Sequence, residues 1–130
     1  MRRILPISVI ALGLLACAGG ESDESTDAGT FQAALLTSGP VSDAGWYAGG
    51  YEGLMMLRDS LGAAVSHQQT RTPAEFDEAF LAYASSGYDL IFAHGFEYQD
   101  AALRAGAQFP ETTIVVSGGG RITDNVIPLI

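Results

Sequence analysis

The feature that most constrains the fold of this sequence is a regular alternation of short β-rich runs with helical stretches, beginning at Phe31. Two runs, YDLIFAH (88–94) and TTIVVSG (112–118), are almost continuously apolar, which is typical of strands buried on both faces of a parallel sheet. The remaining strand candidates are FQAALLT (31–37), AAVSHQQ (63–69) and NVIPLI (125–130). The alternation predicts an α/β structure with a mostly parallel, doubly wound sheet.

Local signals between these runs predict three helices. The clearest helix begins with Thr72 as a capping residue, Pro73 at the first helical position and Glu75, which completes a capping box. Leucines at helical spacing before Gly62 predict a helix after the first strand, with the glycine at its C-terminal cap. Residues 97–109 predict a third, more modest helix.

Residues 1–16 are predicted to form a secretory signal peptide. Basic Arg2 and Arg3 precede an apolar stretch that is shorter than the ~20 residues needed to span a membrane. The sequence LLAC at positions 14–17 resembles the bacterial lipobox, in which the cysteine is lipidated and becomes the mature N-terminus. Cys17 is therefore expected to anchor the chain to a bacterial membrane, on its periplasmic or cell-surface side. The alternative is an ordinary signal peptide with an incidental cysteine.

The segment from Cys17 to Thr30 is acidic and almost free of large apolar side chains. Such a composition does not offset the entropy of ordering, so the segment is predicted to be a tether. The formal net charge of the whole chain is −9, and removal of Arg2 and Arg3 with the signal peptide makes it more negative. A surface of this charge is a poor partner for nucleic acid.

Three glycine-containing loops follow predicted strands, at residues 38–47, 95–98 and 117–121. In open α/β sheets the ligand crevice lies beyond the carboxyl ends of the strands. We therefore expect the three loops to lie along one rim of the sheet.

The first loop is the strongest candidate for ligand binding. Gly39 allows a tight departure from the strand, Ser42 or Asp43 could cap the next helix, and Trp46 and Tyr47 begin that helix. Backbone amides at a helix N-terminus and flat aromatic faces suit a ligand that combines a ring with hydroxyl or carbonyl oxygens. The alternative, that both aromatic residues only pack the helix onto the sheet, stays open.

Two stretches together resemble a known family: GPVSDAGWYAGGYEGL (39–54) and SGYDLIFAHGFEYQDAALRAGAQFPETTIVVSGG (86–119). They are similar to the basic membrane protein (BMP) family, also called PnrA-like, of ABC-transporter substrate-binding lipoproteins. The resemblance covers essentially residues 31–130 and implies the first α/β lobe of a type I periplasmic-binding-protein-like fold. It further implies a non-enzymatic protein without a cofactor, whose two lobes close on a purine nucleoside or related ring compound for an ABC permease. The sequence is then expected to stop before the second lobe.

The resemblance also implies a set of ligand-binding residues. Ser38 stands where the family usually has an aspartate that binds ribose, and Trp46 and Tyr47 stand where an aromatic residue and an asparagine are usual. Gly95 and Phe96 match the glycine-aromatic turn of the family. The expected ligand-binding residues are Ser38, Gly39, Asp43, Trp46, Tyr47, Gly95 and Phe96. The missing aspartate leaves a free base or another ring compound open beside a nucleoside. Because the same lobes serve receptors as well as importers, a ligand-sensing lipoprotein without transport stays open beside an importer.

Other kinds of site have weaker support. The sequence has neither G-x-G-x-x-G nor G-x-S-x-G, which disfavours a dinucleotide-binding enzyme and a serine hydrolase, and it has no metal-ligand spacing. Glu97 and Asp100 are interpreted as first-turn acids that favour the helix dipole. His94 is expected to satisfy a backbone carbonyl rather than a ligand, and His67 is expected to be exposed.

Overall fold

The computed structural model describes residues 29–130. The predicted signal peptide, Cys17 and nearly all of the predicted tether lie outside the described residues. In chain order the elements are β1 (Gln32–Thr37), α1 (Trp46–Leu61), β2 (Ala64–Gln69), α2 (Pro73–Ser85), β3 (Leu90–His94), a 3₁₀ turn (Phe96–Tyr98), α3 (Gln99–Gln108), β4 (Thr113–Ser117) and β5 (Val126–Leu129). No helix within residues 29–130 is both long enough and apolar enough to cross a membrane.

The five strands form one parallel sheet in the order β2-β1-β3-β4-β5. From β1 the chain crosses through α1 to one edge, and from β3 it crosses through α3 toward the other edge. Neighbouring crossovers therefore diverge at the carboxyl ends of β1 and β3, which is where open α/β sheets form a crevice. This topology confirms the predicted α/β class.

Local sequence signals account for the helix ends. Thr72 accepts a hydrogen bond from the Glu75 amide while the Glu75 side chain accepts from the Thr72 amide, so the predicted capping box is present, with Pro73 in the first turn. Helix α1 ends at Gly62, whose φ of 68° is a left-handed conformation that glycine adopts without a steric penalty. Helix α3 begins two residues later than predicted, because the chain first makes the 3₁₀ turn at Phe96–Tyr98.

The two faces of the sheet are unequally covered. Helices α2 and α3 cover one face with a large core that includes Phe80, Ile91 and Tyr98. On the other face, α1 contributes one buried residue, Leu54, packed on β1. The prediction that β3 is buried on both faces is wrong, since Phe92 on the α1 side is only half-buried. The reason is that, within residues 29–130, α1 is the only helix on this face.

Candidate functional site

A cleft of about 790 Å³ lies at the carboxyl ends of the strands. The loops after β1, β3 and β4 all contribute to it, and the start of α2 closes one side. Its lining residues are Ser38, Trp46, Tyr47, Arg71, Pro73, Phe76, Gly95, Phe96, Glu97, Ser117 and Gly118. Five of the seven predicted ligand-binding residues are therefore in one cleft, whose size lies within the range of small-molecule sites.

Trp46, the first residue of α1, lines this cleft and is 57 % exposed. Its indole stacks on the imidazole of His94, with ring centroids 4.2 Å apart and planes 11° from parallel. The indole is therefore packed and exposed at once, because one face rests on the imidazole while much of the remaining indole surface is open to solvent.

The His94 side chain contacts the backbone of Trp46 as well as its indole ring. The imidazole Nε2 lies 2.8 Å from the Trp46 carbonyl oxygen, and Nδ1 lies 2.9 Å from the Ser117 hydroxyl. Because a carbonyl can only accept, Nε2 carries the proton and donates it, and Nδ1 accepts from Ser117 in the neutral ring. The expectation that His94 satisfies a backbone carbonyl is confirmed.

A chain of polar contacts crosses the floor of the cleft. The Tyr47 hydroxyl lies 2.8 Å from the Ser38 hydroxyl, and Ser38 donates a hydrogen bond to the Glu97 carboxylate. Gly39 makes this arrangement possible, because a Cβ there would overlap the Tyr47 ring. Gly39 itself is absent from the cleft lining, so its part in the site is to leave space for the tyrosine.

Asp43 lies two residues before Gly45, the N-cap residue of α1, and is absent from the cleft lining. Its carboxylate accepts hydrogen bonds from the amides of Gly45 and Ala48, both at 3.0 Å, and of Tyr47 at 3.1 Å. These three donors lower the pKa of the Asp43 carboxyl. Asp43 thus positions the helix that carries Trp46, and its predicted contact with a ligand stays a prediction.

The other two loops are held by long-range contacts. Gly95 has a φ of 153°, and a Cβ at this position would overlap the Glu97 carboxylate. The side-chain oxygen of Gln99 accepts from the amides of Gly120 at 2.8 Å and Arg121 at 3.0 Å, which holds the loop after β4 beside the start of α3.

Two charged residues of the cleft were missed by sequence reasoning. Glu97 was assigned to the helix dipole, but its carboxylate turns back to Ser38, whereas Asp100 is exposed and lies 3.7 Å from Arg121. Arg71 follows the carboxyl end of β2 and also lines the cleft. Since all parallel strands end at the same rim, the residues after β2 carried a signal that would have identified Arg71.

His67 differs from its prediction as an exposed residue. It is half-buried, its ring meets Tyr51 edge-on at 5.5 Å, and Nε2 lies 2.9 Å from the Thr37 hydroxyl. Burial lowers the pKa of the His67 imidazole. The contact places His67 at the sheet and outside the cleft lining.

A second groove, of about 760 Å³, lies on the α1 face of the sheet. It is lined mainly by apolar side chains of β1 and β3 and by glycines of α1, and its one titratable residue is His94. Trp46 lines both this groove and the cleft. Both nitrogens of His94 are already hydrogen-bonded, so this groove lacks the free polar groups that orient a solute. The cleft at the strand ends is the better candidate site. Neither concavity holds a metal cluster, since residues 29–130 contain no group of three or more histidine, cysteine or acidic side chains suited to one.

Comparison with known proteins identifies the family of this chain. Residues 31–128 match the family described as "ABC transporter substrate-binding protein PnrA-like". The chain is 25% identical over 93 residues to the transcriptional activator protein med of Bacillus subtilis (strain 168), covering 71% of this chain and 29% of that protein.

Solved structures of solute-binding proteins are similar to this chain. An ABC transporter system solute-binding protein from Conexibacter woesei DSM 14684 superposes with a TM-score of 0.71 at 26% identity, over 76% of this chain and 34% of that one. A solute-binding protein from Aeropyrum pernix K1 shares the fold, with a TM-score of 0.67 at 23% identity, over 77% of this chain and 28% of that one. The chain thus spans about a third of the length of these relatives. The family match over residues 31–128, together with the parallel sheet and its rim cleft, shows that this chain belongs to the PnrA-like family of ABC transporter substrate-binding proteins.

Proposed function

We propose that this chain is the first lobe of the solute-binding component of an ABC importer. It captures a purine nucleoside or a related small ring compound and delivers it to the permease. The observation that carries this proposal is the exposed indole of Trp46, stacked on His94 and lining a cleft that also holds the polar side chains of Ser38, Tyr47 and Glu97.

Capture is non-enzymatic and uses surfaces that are already in place. The solute ring stacks on Trp46 or Phe96, which are 57 % and 73 % exposed, and its polar groups meet Ser38 and Tyr47. Stacking of a base on an aromatic side chain contributes about 1–3 kcal/mol. Asp43 supports capture indirectly by fixing the first turn of α1.

A second lobe completes the site in this proposal. The solved relatives are about three times as long as the matched region, which leaves room for a lobe that closes over the rim and excludes water. The protein acts outside the cytoplasm, exported by its signal peptide and held at the membrane by lipidated Cys17.

Calorimetric titration with purine nucleosides and bases tests the proposal. The titration uses the 130-residue chain and a form that carries the second lobe, each as wild type and as Trp46→Ala. We expect the alanine variant to bind roughly 5- to 150-fold more weakly, the equivalent of the stacking energy. Phe31→Ala is the matched control, since Phe31 is also exposed but lies outside the cleft lining. An unchanged affinity in Trp46→Ala, or binding of no ring compound by the two-lobe form, would contradict the proposal.

A second function is supported by one relative. The matched Bacillus subtilis protein is named a transcriptional activator, so a protein similar to this chain carries a regulatory name. The alternative is therefore a ligand-sensing lipoprotein that signals to a membrane partner without transport. Genes for a permease and an ATPase beside this one would favour the importer, and their absence would favour the sensor.

A further inference from the structure

We infer that Glu97 is a specificity-determining residue of the cleft, selecting ring compounds that present a pair of hydroxyl donors, such as the ribose of a nucleoside. This inference rests on the proposed function. Glu97 is half-buried, lines the cleft and accepts a hydrogen bond from Ser38 through Oε1. Within residues 29–130 no arginine or histidine nitrogen lies within 4 Å of its carboxylate, so it has acceptor capacity that a solute can use.

The surrounding loops are shaped to hold this carboxylate. With the Glu97 carboxylate in this position, a Cβ at position 95 would overlap both of its oxygens, so glycine at this position allows the observed placement. The left-handed φ of 153° at Gly95 turns the chain so that the Glu97 side chain folds back over it. At the other end of the contact, Gly39 makes room for Tyr47 to reach Ser38. Two glycines on different loops thus support one polar cluster.

Glu97 also sets the direction of the hydrogen bonds in this cluster. A carboxylate only accepts, so the Ser38 proton is directed to Glu97, and Tyr47 must donate its own proton to Ser38. Both hydroxyl protons are therefore used internally. The cluster presents acceptor lone pairs to the cleft, and it complements a solute that brings O–H donors.

Two adjacent hydroxyls suit this arrangement better than one. Hydrogen bonds to an ionised acceptor are about twice as strong as neutral ones, and a carboxylate can accept two donors side by side. The exposed ring of Trp46 lines the same cleft and can hold the base while the carboxylate holds the sugar. A free base can use the stacking surface but lacks the paired hydroxyls.

The test compares a purine ribonucleoside with its 2′,3′-dideoxy counterpart, which has the same base and lacks both hydroxyls. Calorimetric titration uses the two-lobe protein as wild type, Glu97→Gln and Asp100→Asn. We expect the wild type to prefer the ribonucleoside at least tenfold and Glu97→Gln to lose most of this preference. Asp100→Asn removes the same charge from an exposed side chain outside the cleft lining, and it should keep the preference.

The outcomes separate this inference from the proposed function. Equal binding of the two nucleosides by the wild type, with Trp46→Ala still weakening both, would overturn the role of Glu97 and leave solute capture standing. Binding of neither compound would refute the proposed function and the inference with it. Equal binding by the wild type would overturn the inference even if Glu97→Gln does not fold, and a full preference retained by a folded Glu97→Gln would also overturn it.

Discussion

Replacing Gly50 with alanine should destabilise the fold, whereas the same replacement at the neighbouring Gly49 should stabilise it. Both glycines lie inside α1, where alanine is favoured over glycine by about 0.5–1 kcal/mol. Their surroundings differ. A Cβ at Gly49 meets no heavy atom within 4 Å, but a Cβ at Gly50 lies 2.8 Å from Cδ2 and 3.2 Å from Nε2 of His94.

The clash at Gly50 should lower the free energy of unfolding, because His94 has little freedom to move away from the added methyl group. Its ring is hydrogen-bonded at both nitrogens and stacked on Trp46, so moving it breaks contacts on two sides. Overpacking of a filled site costs about 1–3 kcal/mol. Since the gain in helix propensity is common to both variants, Gly50→Ala should be about 1–3 kcal/mol less stable than Gly49→Ala.

Urea unfolding followed by far-UV circular dichroism measures this difference, with the slope of the transition checked for constancy between variants. Gly53→Ala is a second control, since a Cβ there also meets nothing within 4 Å. Fluorescence of Trp46, the single tryptophan of the chain, should change in Gly50→Ala and stay unchanged in Gly49→Ala. A Gly50→Ala protein as stable as Gly49→Ala would refute the close packing of α1 on His94.

Two further predictions concern stability away from the cleft. Thr72→Ala removes the capping side chain of α2 and should lower the free energy of unfolding by about 1 kcal/mol, whereas Thr72→Ser should retain most of it, as measured by urea unfolding. Stability should also fall as the pH drops below about 6.5, because burial lowers the folded-state pKa of His67 and the unfolded chain then binds more protons. The urea midpoint is measured from about pH 7.5 to about pH 5.5, a range that spans the titration of histidine. Its dependence on pH should be weaker in His67→Gln. An equal dependence in both proteins would contradict a half-buried, neutral His67.

The tautomer of His67 supports the second of these predictions. The Thr37 hydroxyl donates to the Gly39 carbonyl at 2.8 Å, so it can only accept from His67 Nε2. Glutamine can offer a similar donor through its side-chain amide without titrating. His67→Gln therefore changes the protonation of the site more than its packing.

Much of the fold could be predicted from the sequence because its signals are local. The capping box of α2 involves residues three positions apart, and Gly62 ends α1 through its own backbone conformation. The convergence of three loops also follows from the sequence, since parallel strands place their carboxyl ends at one edge. The period and length of apolar runs were thus sufficient to define the order of elements and the edge that bears the candidate site.

The contacts that shape the site depend on the tertiary structure. Ser38 and Glu97 are 59 positions apart, and Trp46 and His94 are 48 apart, so no local pattern pairs them. The prediction that Phe92 is buried on a two-sided sheet failed for a related reason, because an apolar run shows that a strand can be covered but not which helix covers it. The sequence by itself determined the order of the elements and the rim to which the loops converge. Only packing between distant segments decided that His94 supports the indole and that Glu97, rather than Asp43, places a carboxylate in the cleft.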